Sequence, residues 1–339
     1  MNVLITGGAG FIGSHFTKFV VNNYTDYQVV VIDKLNYRGN LANLKEIEGK
    51  TNYKFIRGDI CVKEDILPQV SEADVVVNFA AETFVDRAIM DASDFLSTDV
   101  FGVYNLLEAI RGTDKVLIHI STDEVYGSLE EGFADENYPL RPGNPYSASK
   151  ASGDLLILSY ANTYGIRFKM VRPSNNFGPN QYPENLVPLF ITNAIEGRPL
   201  PIYGDGQYQR DWIYVMDTVR AIDLVMHEGE IGEIYNVGGG NIRTNLEITE
   251  EIIERTGASK DLMVFVDDRQ GHDRRYALDS SKIKELGFEQ RYEFDKAMEL
   301  TVNWYRENED WWRPIKSGEF REYYEKQYRE RLSKAGYGE

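Results

Sequence analysis

The residues that decide the fold are Asn2-Val3-Leu4-Ile5-Thr6, directly followed by Gly7-Gly8-Ala9-Gly10-Phe11-Ile12-Gly13. The first segment is a short apolar run with β-branched side chains, which is typical of a buried strand. The second segment repeats glycine at every third position, and a helical pattern of apolar residues follows it from Phe16 onward. A strand, a glycine loop and a helix in this order predict a βα unit that binds the diphosphate of a dinucleotide.

Gly7, Gly10 and Gly13 are each needed for a different structural reason. Gly7 permits the tight turn, Gly10 lets the backbone approach a pyrophosphate, and Gly13 lets the helix pack closely on the strand. The N-terminus of the helix then points its free N–H groups at the phosphates. We therefore predict that the cofactor contacts Gly7, Gly10, Phe11, Ile12 and Gly13.

The choice between the two nicotinamide dinucleotides depends on Asp33. A second apolar strand ends in this residue, twenty positions after Gly13. A carboxylate there accepts hydrogen bonds from a ribose and repels a 2′-phosphate, so NAD is favoured over NADP. The neighbouring cations Lys34 and Arg38 act in the opposite direction, and a helix cap or turn residue is the structural alternative for Asp33.

Strand and helix patterns alternate over the first half of the chain. Strands are predicted at 2–6, 28–33, 53–57, 74–79, 115–120 and 166–171. This alternation predicts an α/β fold of the Rossmann type, a doubly wound parallel sheet, with ligands at the carboxyl ends of the strands. Residues that follow strands should meet at that edge, and further cofactor contacts are therefore predicted for Lys34, Asp59, Ile60, Ala80 and Ala81.

The sequence pattern changes after Pro173, where turn-rich segments separate short predicted strands and helices. We predict a NAD-binding domain over 1–172 and a smaller C-terminal substrate-binding lobe over 173–310. Segments of that lobe return to the first domain, since 233–237 has the pattern of one more strand of the main sheet. The tail over 311–339 is rich in charges and aromatic rings, and it is expected to pack as a helix on the body or on a partner subunit.

Composition excludes several classes of function. Lys and Arg total 37 against 54 Asp and Glu, a net charge of −17, which argues against nucleic acid or an anionic membrane as partner. The single cysteine, Cys61, excludes an internal disulfide, and the four histidines lack the spacing of metal ligands, so no metal is expected. No segment reads as a signal peptide or reaches transmembrane length, so a cytoplasmic protein is expected.

Two further segments contain candidate catalytic side chains. Ser121-Thr122-Asp123-Glu124-Val125-Tyr126-Gly127 follows an apolar strand, and Tyr146-Ser147-Ala148-Ser149-Lys150 sets a phenol and an ammonium four residues apart. On a helix the latter pair shares one face, where the cation should lower the pKa of the phenol and make it a base. Neighbouring residues of a strand point to opposite faces. The carboxyls of Asp123 and Glu124 can therefore reach the same ligand only if the chain turns at about Thr122. Burial and mutual repulsion should then raise at least one carboxyl pKa.

The glycine loop together with Tyr146-x-x-x-Lys150 resembles the extended short-chain dehydrogenases that act on nucleotide sugars. Within that superfamily, Ser121–Gly127 resembles the signature of dTDP-glucose 4,6-dehydratases. The resemblance runs from Val3 to about Trp312, and its other matches are Asp86-Arg87, Ser174-Asn175-Asn176-Phe177-Gly178-Pro179, Tyr203-Gly204-Asp205-Gly206, Arg210-Asp211-Trp212 and Gly271-His272-Asp273-Arg274-Arg275-Tyr276.

The resemblance implies a complete set of catalytic residues. Tyr146 and Thr122 would act on the sugar 4-hydroxyl while a hydride passes to NAD, and Lys150 would also bind the nicotinamide ribose. Glu124 would be the base at C5, and protonated Asp123 would donate to the departing 6-hydroxyl. The product would be a 4-keto-6-deoxy sugar without net redox change.

The resemblance also implies the residues that hold the nucleotide-diphosphate sugar. These are Thr122, Asn175, Asn176, Tyr203, Arg210, Asn245, Arg269 and His272. A surface ion pair with Asp211 is the structural alternative for Arg210. Two positions depart from the family pattern, which commonly has histidine where Phe84 stands and lysine where Asn185 stands. The base of the nucleotide, whether thymine, uracil or cytosine, is left open.

Two other functions remain as alternatives. A nucleotide-sugar 4-epimerase shares Tyr146 and Lys150, but it has no use for a base at C5 or an acid at C6. A regulatory protein that binds the nucleotide sugar or NAD without turnover would keep the fold alone. A homodimer is expected from the resemblance, through apolar positions near 95–107 and 151–164, although the same positions would suit packing on the sheet.

Overall fold

The structure is a computed structural model that describes residues 1–337. Its strands are β1 Asn2–Thr6, β2 Gln28–Asp33, β3 Tyr53–Arg57, β4 Val75–Asn78, β5 Val116–Ile120, β6 Arg167–Pro173, β7 Asn175–Phe177, β8 Leu200–Tyr203, β9 Gln209–Tyr214, β10 Ile234–Val237, β11 Ile242–Thr244 and β12 Met263–Val266.

The α-helices are α1 Phe11–Asn23, α2 Lys63–Glu72, α3 Val85–Met90, α4 Ser93–Leu96, α5 Val103–Ile110, α6 Pro145–Tyr164, α7 Leu186–Glu196, α8 Val215–Glu228, α9 Asn245–Thr256, α10 Ser281–Glu285, α11 Phe294–Glu307, α12 Glu309–Ser317 and α13 Glu319–Lys334. Three short 3-10 helices lie at Leu41–Ile47, Asp123–Tyr126 and Lys260–Leu262, and one π-helical turn lies at Ser97–Gly102.

Seven strands form the central sheet, in the order β10-β6-β5-β4-β1-β2-β3. Every neighbouring pair is parallel, for example Val3 beside Val29 on one side and beside Val75 on the other. The order of the strands reverses between β1 and β4, and ligands bind at such a switch point in doubly wound sheets. The predicted fold class is confirmed, and the six predicted strands agree with the structure to within two residues at each end.

Helices cover both faces of this sheet because its strands are buried on both sides. On one face Phe16 and Val20 of α1 pack with Ile222 of α8 and with sheet residues such as Val31. On the other face the apolar sides of α2, α5 and α6 pack on residues such as Leu4, Val76 and Leu117. The glycine loop, which follows β1, therefore lies between two layers of packed helices. This packing fixes its position at the edge of the sheet.

A smaller set of elements covers the carboxyl edge of the sheet. It contains the three-stranded sheet β11-β9-β7 and the two-stranded sheet β12-β8. A second core holds it together, with Phe190 of α7, Ile252 of α9, Tyr305 of α11 and Trp312 of α12 all buried. The tail forms two helices, α12 and α13, and Phe320 buries its ring in this core.

The division into domains at 172 and 310 stays a prediction, because chain segments cross between the two parts. Strand β10 pairs with β6 at the edge of the main sheet. Helix α8 packs on α1, on the main sheet's face. Within residues 1–337, no helix combines the length and apolarity that crossing a bilayer requires.

Candidate active site

A cavity of about 560 Å³ lies at the carboxyl ends of β1, β4 and β5, under the smaller set of elements. Every site residue predicted from the sequence lines it: Gly7, Gly10, Phe11, Ile12, Gly13, Asp33, Lys34, Asp59, Ile60, Ala80, Ala81, Thr122, Asp123, Glu124, Tyr146, Lys150, Asn175, Asn176, Tyr203, Arg210, Asn245, Arg269 and His272. The structure brings these residues together, whereas their individual roles stay predictions.

The glycine loop has the shape that a dinucleotide needs. Gly7 has a φ of +69°, and a Cβ atom there would lie 2.5 Å from the backbone nitrogen of Ala80. A Cβ atom on Gly13 would lie 2.4 Å from the carbonyl oxygen of Gly7. A Cβ atom on Gly10, the residue before α1, would meet only that carbonyl oxygen, at 3.3 Å, so its other surroundings are open. These contacts fit a diphosphate at the start of α1.

Asp33 is a turn residue and also lies where it can bind a ribose, which are the two roles that its sequence position suggested. Its carboxylate accepts hydrogen bonds from the backbone nitrogens of Ala9, at 3.0 Å, and Leu35, at 2.8 Å. It therefore shapes the turn after β2 while it also lines the cavity. Each carboxylate oxygen has a second lone pair, so the group keeps the capacity to accept a ribose hydroxyl.

The two cations beside Asp33 are occupied. The ammonium of Lys34 lies 2.7 Å from a carboxylate oxygen of Glu82, and the guanidinium of Arg38 pairs with Glu184. Both carboxylate partners are buried. The positive charge that would attract a 2′-phosphate is thus neutralised, which strengthens the preference for NAD over NADP.

The chain turns directly after β5, as is needed for Asp123 and Glu124 to reach the same ligand. Strand β5 ends at Ile120, Thr122 is extended, and a 3-10 helix begins at Asp123. The hydroxyl of Thr122 caps that helix by accepting from the backbone nitrogen of Glu124 at 3.3 Å. The predicted turn at Thr122 is confirmed, and it brings both carboxyls to the cavity.

Both carboxyls are harder to ionise than usual. Burial, followed by the charge of Glu124, raises the pKa of Asp123 well above its ordinary value. One Asp123 oxygen lies 3.2 Å from the Thr122 hydroxyl, and the other has no hydrogen-bond partner within residues 1–337. Burial also raises the pKa of Glu124, although Arg210 and Arg269 act against it. The expected rise in carboxyl pKa is confirmed, and a neutral Asp123 is available as a proton donor.

Helix α6 presents the phenol and the ammonium on one face. Asn144 caps the helix by accepting from the backbone nitrogen of Ser147 at 3.0 Å, and Pro145 occupies the first helical position. Tyr146 and Lys150 follow on this helix, line the cavity and are both buried. The cap thus fixes where the Tyr146–Lys150 face begins.

The expected effect of Lys150 on Tyr146 is corrected by the structure. The ammonium of Lys150 donates to the carbonyl oxygen of Ile120 at 2.9 Å. Burial, followed by the charges of Glu124 and Asp99, raises the pKa of Tyr146 well above its ordinary value. The prediction that the phenol is made acidic is wrong for the protein by itself, because desolvation and two carboxylates outweigh the cation.

Sequence reasoning missed Asp99, a buried carboxyl on the π-helical turn before α5. Its side chain accepts from the hydroxyl of Ser149 at 2.7 Å. Burial raises its pKa to about 7, although the charge of Lys150 acts against this. An acidic residue inside an apolar helical pattern was the only signal in the sequence. π-Helical turns occur frequently at functional sites.

Two arginines lie near the two carboxyls and act on them through their positive charge. Arg210 is buried and donates to the carbonyl oxygens of Gln209, at 2.7 Å, and Asp273, at 2.9 Å. The described contacts of Arg210 do not include the ion pair with Asp211 that was the structural alternative. Arg269 pairs with Asp86 at 2.8 Å, and its buried Nε has no partner within residues 1–337. A buried donor of this kind suits an anionic ligand.

Other polar atoms at this end of the cavity also lack partners in the described part of the chain. They include Oδ1 of Asn175, Oδ1 of Asn176 and Nε1 of Trp212. All three residues line the cavity. Buried polar atoms are normally paired, so a ligand rich in hydrogen-bonding groups would complete this wall.

His272 is held differently from the arginines. Its Nδ1 lies 2.7 Å from a carboxylate oxygen of Asp268, and its ring stacks on Tyr208 at 3.6 Å between centroids. Burial, followed by repulsion from Arg269 and Arg210, lowers the pKa of His272 to about 3. A neutral imidazole contributes a hydrogen bond or a ring face to a ligand, and no positive charge.

The two departures from the family pattern occupy one neighbourhood. Phe84 has a φ of +95°, and its ring lies 5.7 Å from that of Tyr323. Asn185 accepts from Arg38 at 3.4 Å, and the adjacent Glu184 binds both Arg38 and Arg87. The guanidiniums of Arg38 and Arg87 therefore lie near Asn185, the position where the family commonly has a lysine.

Comparison with known proteins gives three consistent results. A family model described as GDP-mannose 4,6 dehydratase matches residues 4–301. A dTDP-glucose 4,6-dehydratase from Streptomyces niveus is 48% identical over 323 residues, which cover 94% of this chain and 96% of that protein. The crystal structure of DesIV, a dTDP-glucose 4,6-dehydratase from Streptomyces venezuelae with NAD bound, has a TM-score of 0.90 and 44% identity, and covers 93% of this chain and 100% of its own.

More distant structures share the fold with a different chemistry. A UDP-glucose 4-epimerase from Thermotoga maritima has a TM-score of 0.83 and 32% identity, and covers 91% of this chain and 99% of its own. The fold is therefore common to proteins with both activities, and the fold by itself does not distinguish them.

Proposed function

The chain belongs to the GDP-mannose 4,6-dehydratase family, among the dTDP-glucose 4,6-dehydratases, and on this premise we propose that it dehydrates a nucleotide-diphosphate glucose, with dTDP-glucose as the first candidate. The product is the 4-keto-6-deoxy sugar, and the enzyme is a hydro-lyase. One observation carries the proposal: Asp123 and Glu124 share a cavity with Tyr146, and the pKa of each carboxyl is raised.

The residues fit NAD as the cofactor. The glycine loop and the start of α1 would hold the diphosphate, Asp33 the adenosine ribose, and Lys150 the nicotinamide ribose. NAD supplies a hydride acceptor at C4 of the sugar and a hydride donor at C6, and its oxidised nicotinamide adds a positive charge to a site with several carboxyls. Lys34, Asp59, Ile60, Ala80 and Ala81 would border the bound cofactor, since they follow β2, β3 and β4.

Tyr146 is the proposed base for the 4-hydroxyl. Thr122 hydrogen-bonds to the same hydroxyl and orients it toward the phenol. The negative charge of Glu124 raises the pKa of Tyr146 and so opposes ionisation of the phenol. Lys150 adds a fixed positive charge at the end of β5, and this charge favours the phenolate.

Glu124 and Asp123 divide the elimination between them. A ketone at C4 acidifies the hydrogen at C5, and Glu124 removes that proton. Asp123 donates its proton to the 6-hydroxyl, which leaves as water as the C5–C6 double bond forms. Glu124 then returns a proton to C5. This assignment requires one carboxyl to be charged and the other neutral, and the stronger upward shift belongs to Asp123.

The remaining predicted residues would hold the nucleotide diphosphate. Arg210 and Arg269 provide charge for the phosphates, and Asn175, Asn176, Asn245, Tyr203 and His272 surround the sugar and the nucleoside. Incubation with dTDP-, UDP- and CDP-glucose, followed by detection of the 4-keto-6-deoxy product, tests the function and identifies the base. Formation of the nucleotide-diphosphate galactose would support a 4-epimerase instead, and tight binding without product would support a regulatory protein. Asp123 and Glu124 argue against both, because neither function needs a second acid–base pair.

A homodimer is part of the proposal. Leu96, Phe101 and Leu155 expose 49%, 64% and 56% of their surface. They lie on α4, the π-helical turn and α6, which pack on one another, so they share a neighbourhood. Substitution Phe101→Glu should give a monomer in sedimentation velocity, while Phe133→Glu, at a phenylalanine 59% exposed on a loop, should leave the dimer intact. A monomeric unmodified protein would exclude this part.

A cytoplasmic location completes the proposal, because NAD and nucleotide-diphosphate sugars are cytoplasmic metabolites. Cell fractionation with antibody detection tests it. Recovery in a membrane or secreted fraction would exclude it.

A further inference from the structure

A buried polar network links helix α6 to the carboxyl ends of β5 and β6, beside the cavity. At its centre is Asp154 of α6, whose side chain is fully buried. One carboxylate oxygen of Asp154 accepts from the hydroxyl of Ser121 at 3.0 Å and from the guanidinium of Arg172 at 2.9 Å. The other oxygen has no hydrogen-bond partner within residues 1–337. No step of the proposed reaction uses this carboxylate.

Two cations and a hydroxyl favour the charged form of Asp154. Burial raises its pKa, but the charge of Arg172, the hydrogen bond from Ser121 and the charge of Lys150 all act in the opposite direction. His119 lies 3.7 Å from the unpartnered oxygen, and burial, followed by repulsion from Lys150 and Arg172, lowers the pKa of this imidazole well below its ordinary value. The imidazole is therefore neutral, and Arg172 and Lys150 are the cations that compensate the carboxylate.

Helix α6 holds the end of β5 at two consecutive residues. Lys150 donates to the carbonyl oxygen of Ile120 at 2.9 Å. Asp154, one helical turn later, accepts from the hydroxyl of Ser121. Residues four apart on a helix share one face, so both contacts come from the same side of α6. Thr122 is the next residue of the chain, and these two contacts therefore set its position relative to α6.

The partner of Asp154 on β6 is itself held in place. Arg172 is buried, and its guanidinium also donates to the hydroxyl of Tyr126 at 2.9 Å. That hydroxyl donates to Oδ1 of Asn236 on β10 at 2.8 Å. Asp154 is thus fixed from the side of β6 and β10, and it in turn fixes Ser121 at the end of β5.

We propose that Asp154 is a positioning residue for the oxidation step, which holds Thr122 and the Lys150 ammonium in place beside the phenol of Tyr146. This inference rests on the proposed function, in which Tyr146 takes the proton of the sugar 4-hydroxyl. Thr122 contacts that phenol through a side-chain hydrogen bond, so a shift of the β5 end separates the two groups that act on one hydroxyl. A misplacement of about 1 Å between reacting groups costs about 10²-fold in rate.

Asp154 should affect this step more than substrate binding or the chemistry at C5. Ser121 lines the cavity, whereas Asp154 lies outside its lining, so the contacts that bind the nucleotide sugar stay intact when Asp154 changes. Glu124 has support of its own, because its carboxylate accepts from the hydroxyl of Tyr276 at 3.3 Å. A loss of positioning therefore lowers the rate of oxidation and leaves KM and proton removal at C5 unchanged.

The test compares Asp154→Asn and Ser121→Ala with the matched control Tyr126→Phe, which removes a buried hydroxyl from the other side of Arg172. In single turnovers of dTDP-glucose, we expect formation of reduced nicotinamide to slow by about 10²-fold in Asp154→Asn and about tenfold in Ser121→Ala. The control should stay within about twofold, even where its melting temperature falls. In all three variants, the KM for dTDP-glucose and deuterium exchange at C5 of the 4-keto-6-deoxy product should stay within about threefold of wild type.

Three results would overturn the proposal: oxidation at the wild-type rate in folded Asp154→Asn and Ser121→Ala, an equal slowing in Tyr126→Phe, or a loss of C5 exchange as large as the loss of oxidation. Ser121→Ala keeps the ion pair between Asp154 and Arg172, so the inference stays testable should Asp154→Asn unfold.

Failure of the proposed function would look different. A wild type that reduces NAD without loss of water from the sugar would refute the dehydratase and leave the comparison of oxidation rates valid. A wild type that forms no reduced nicotinamide would refute both.

Discussion

The ammonium of Lys150 donates a hydrogen bond of 2.9 Å to the carbonyl oxygen of Ile120, the last residue of β5. This bond joins α6 to the strand after which Thr122, Asp123 and Glu124 follow. The two chemically active segments, which lie apart in the chain, are thereby fixed relative to each other. The described contacts of the Lys150 ammonium do not include a hydrogen bond to the phenol of Tyr146, so the cation acts on that phenol through space.

Removal of the Tyr146 hydroxyl should stop the first step. Tyr146→Phe keeps the ring, which packs edge-to-face on Phe95 at 6.1 Å, so the fold should be preserved. Without the base, formation of reduced nicotinamide from dTDP-glucose should fall by about 10²–10⁴-fold, as measured by single-turnover absorbance. A near-normal rate would show that another group removes the 4-hydroxyl proton.

Glu124→Gln should separate oxidation from elimination. The amide keeps hydrogen-bonding capacity but does not remove a proton from carbon. We expect reduced nicotinamide to form while the C5 hydrogen fails to exchange with deuterated solvent, as followed by mass spectrometry. Exchange at the wild-type rate would take this role away from Glu124.

Asp123→Asn is the matched counterpart, because it removes a different proton. Elimination of water should slow by about 10²–10⁴-fold, since an amide does not protonate the leaving hydroxyl. Exchange at C5 should persist, and the 4-keto hexose that still carries its 6-hydroxyl should accumulate. Loss of exchange in this variant would mean that the two carboxyls do not divide the work as proposed.

Asp99 should make stability depend on pH. Burial raises its folded pKa to about 7 from an ordinary 3.8, so the folded state retains a proton that the unfolded state releases. Its contribution is therefore fully present below about pH 4 and is lost as the pH rises through about 7. In Asp99→Asn this titration is absent.

The free energy of unfolding of Asp99→Asn relative to wild type should increase between about pH 4 and pH 8, by on the order of 2–4 kcal/mol. Denaturant titrations at several pH values measure it. A difference that is constant with pH would show that Asp99 has an ordinary pKa in the folded protein. Ser149→Ala removes the 2.7 Å hydrogen bond to Asp99, together with the 2.8 Å contact to the carbonyl oxygen of Tyr146, but keeps the Asp99 carboxyl, so it should retain the pH dependence.

The sequence predicted the central sheet well because the relevant signals are local. Apolar runs of β-branched residues define strands such as Val75–Asn78, and glycine spacing defines the loop after β1. The pattern at 233–237 also predicted one more strand of the main sheet, and the structure adds that this strand, β10, pairs with β6. The convergence of the site on one cavity followed from a general rule, that parallel strands present their carboxyl ends at the same edge.

The interactions that tune the site were not predictable in this way. Asp99 lies fifty-one residues before Lys150, and Asp86 lies far from Arg269 in the chain, so no local pattern links them. The pKa of Tyr146 was predicted in the wrong direction, since spacing on a helix reveals a nearby cation but does not reveal burial.

What the sequence determined by itself is the scaffold and the set of reactive groups: a parallel sheet, a dinucleotide loop, and a threonine, two carboxyls, a phenol and an ammonium at its edge. These follow from backbone sterics and hydrophobic periodicity, which act between residues close in the chain. The tertiary structure alone decided which groups are desolvated and which cations are already neutralised. These properties depend on contacts and dielectric surroundings that arise only when distant segments pack together.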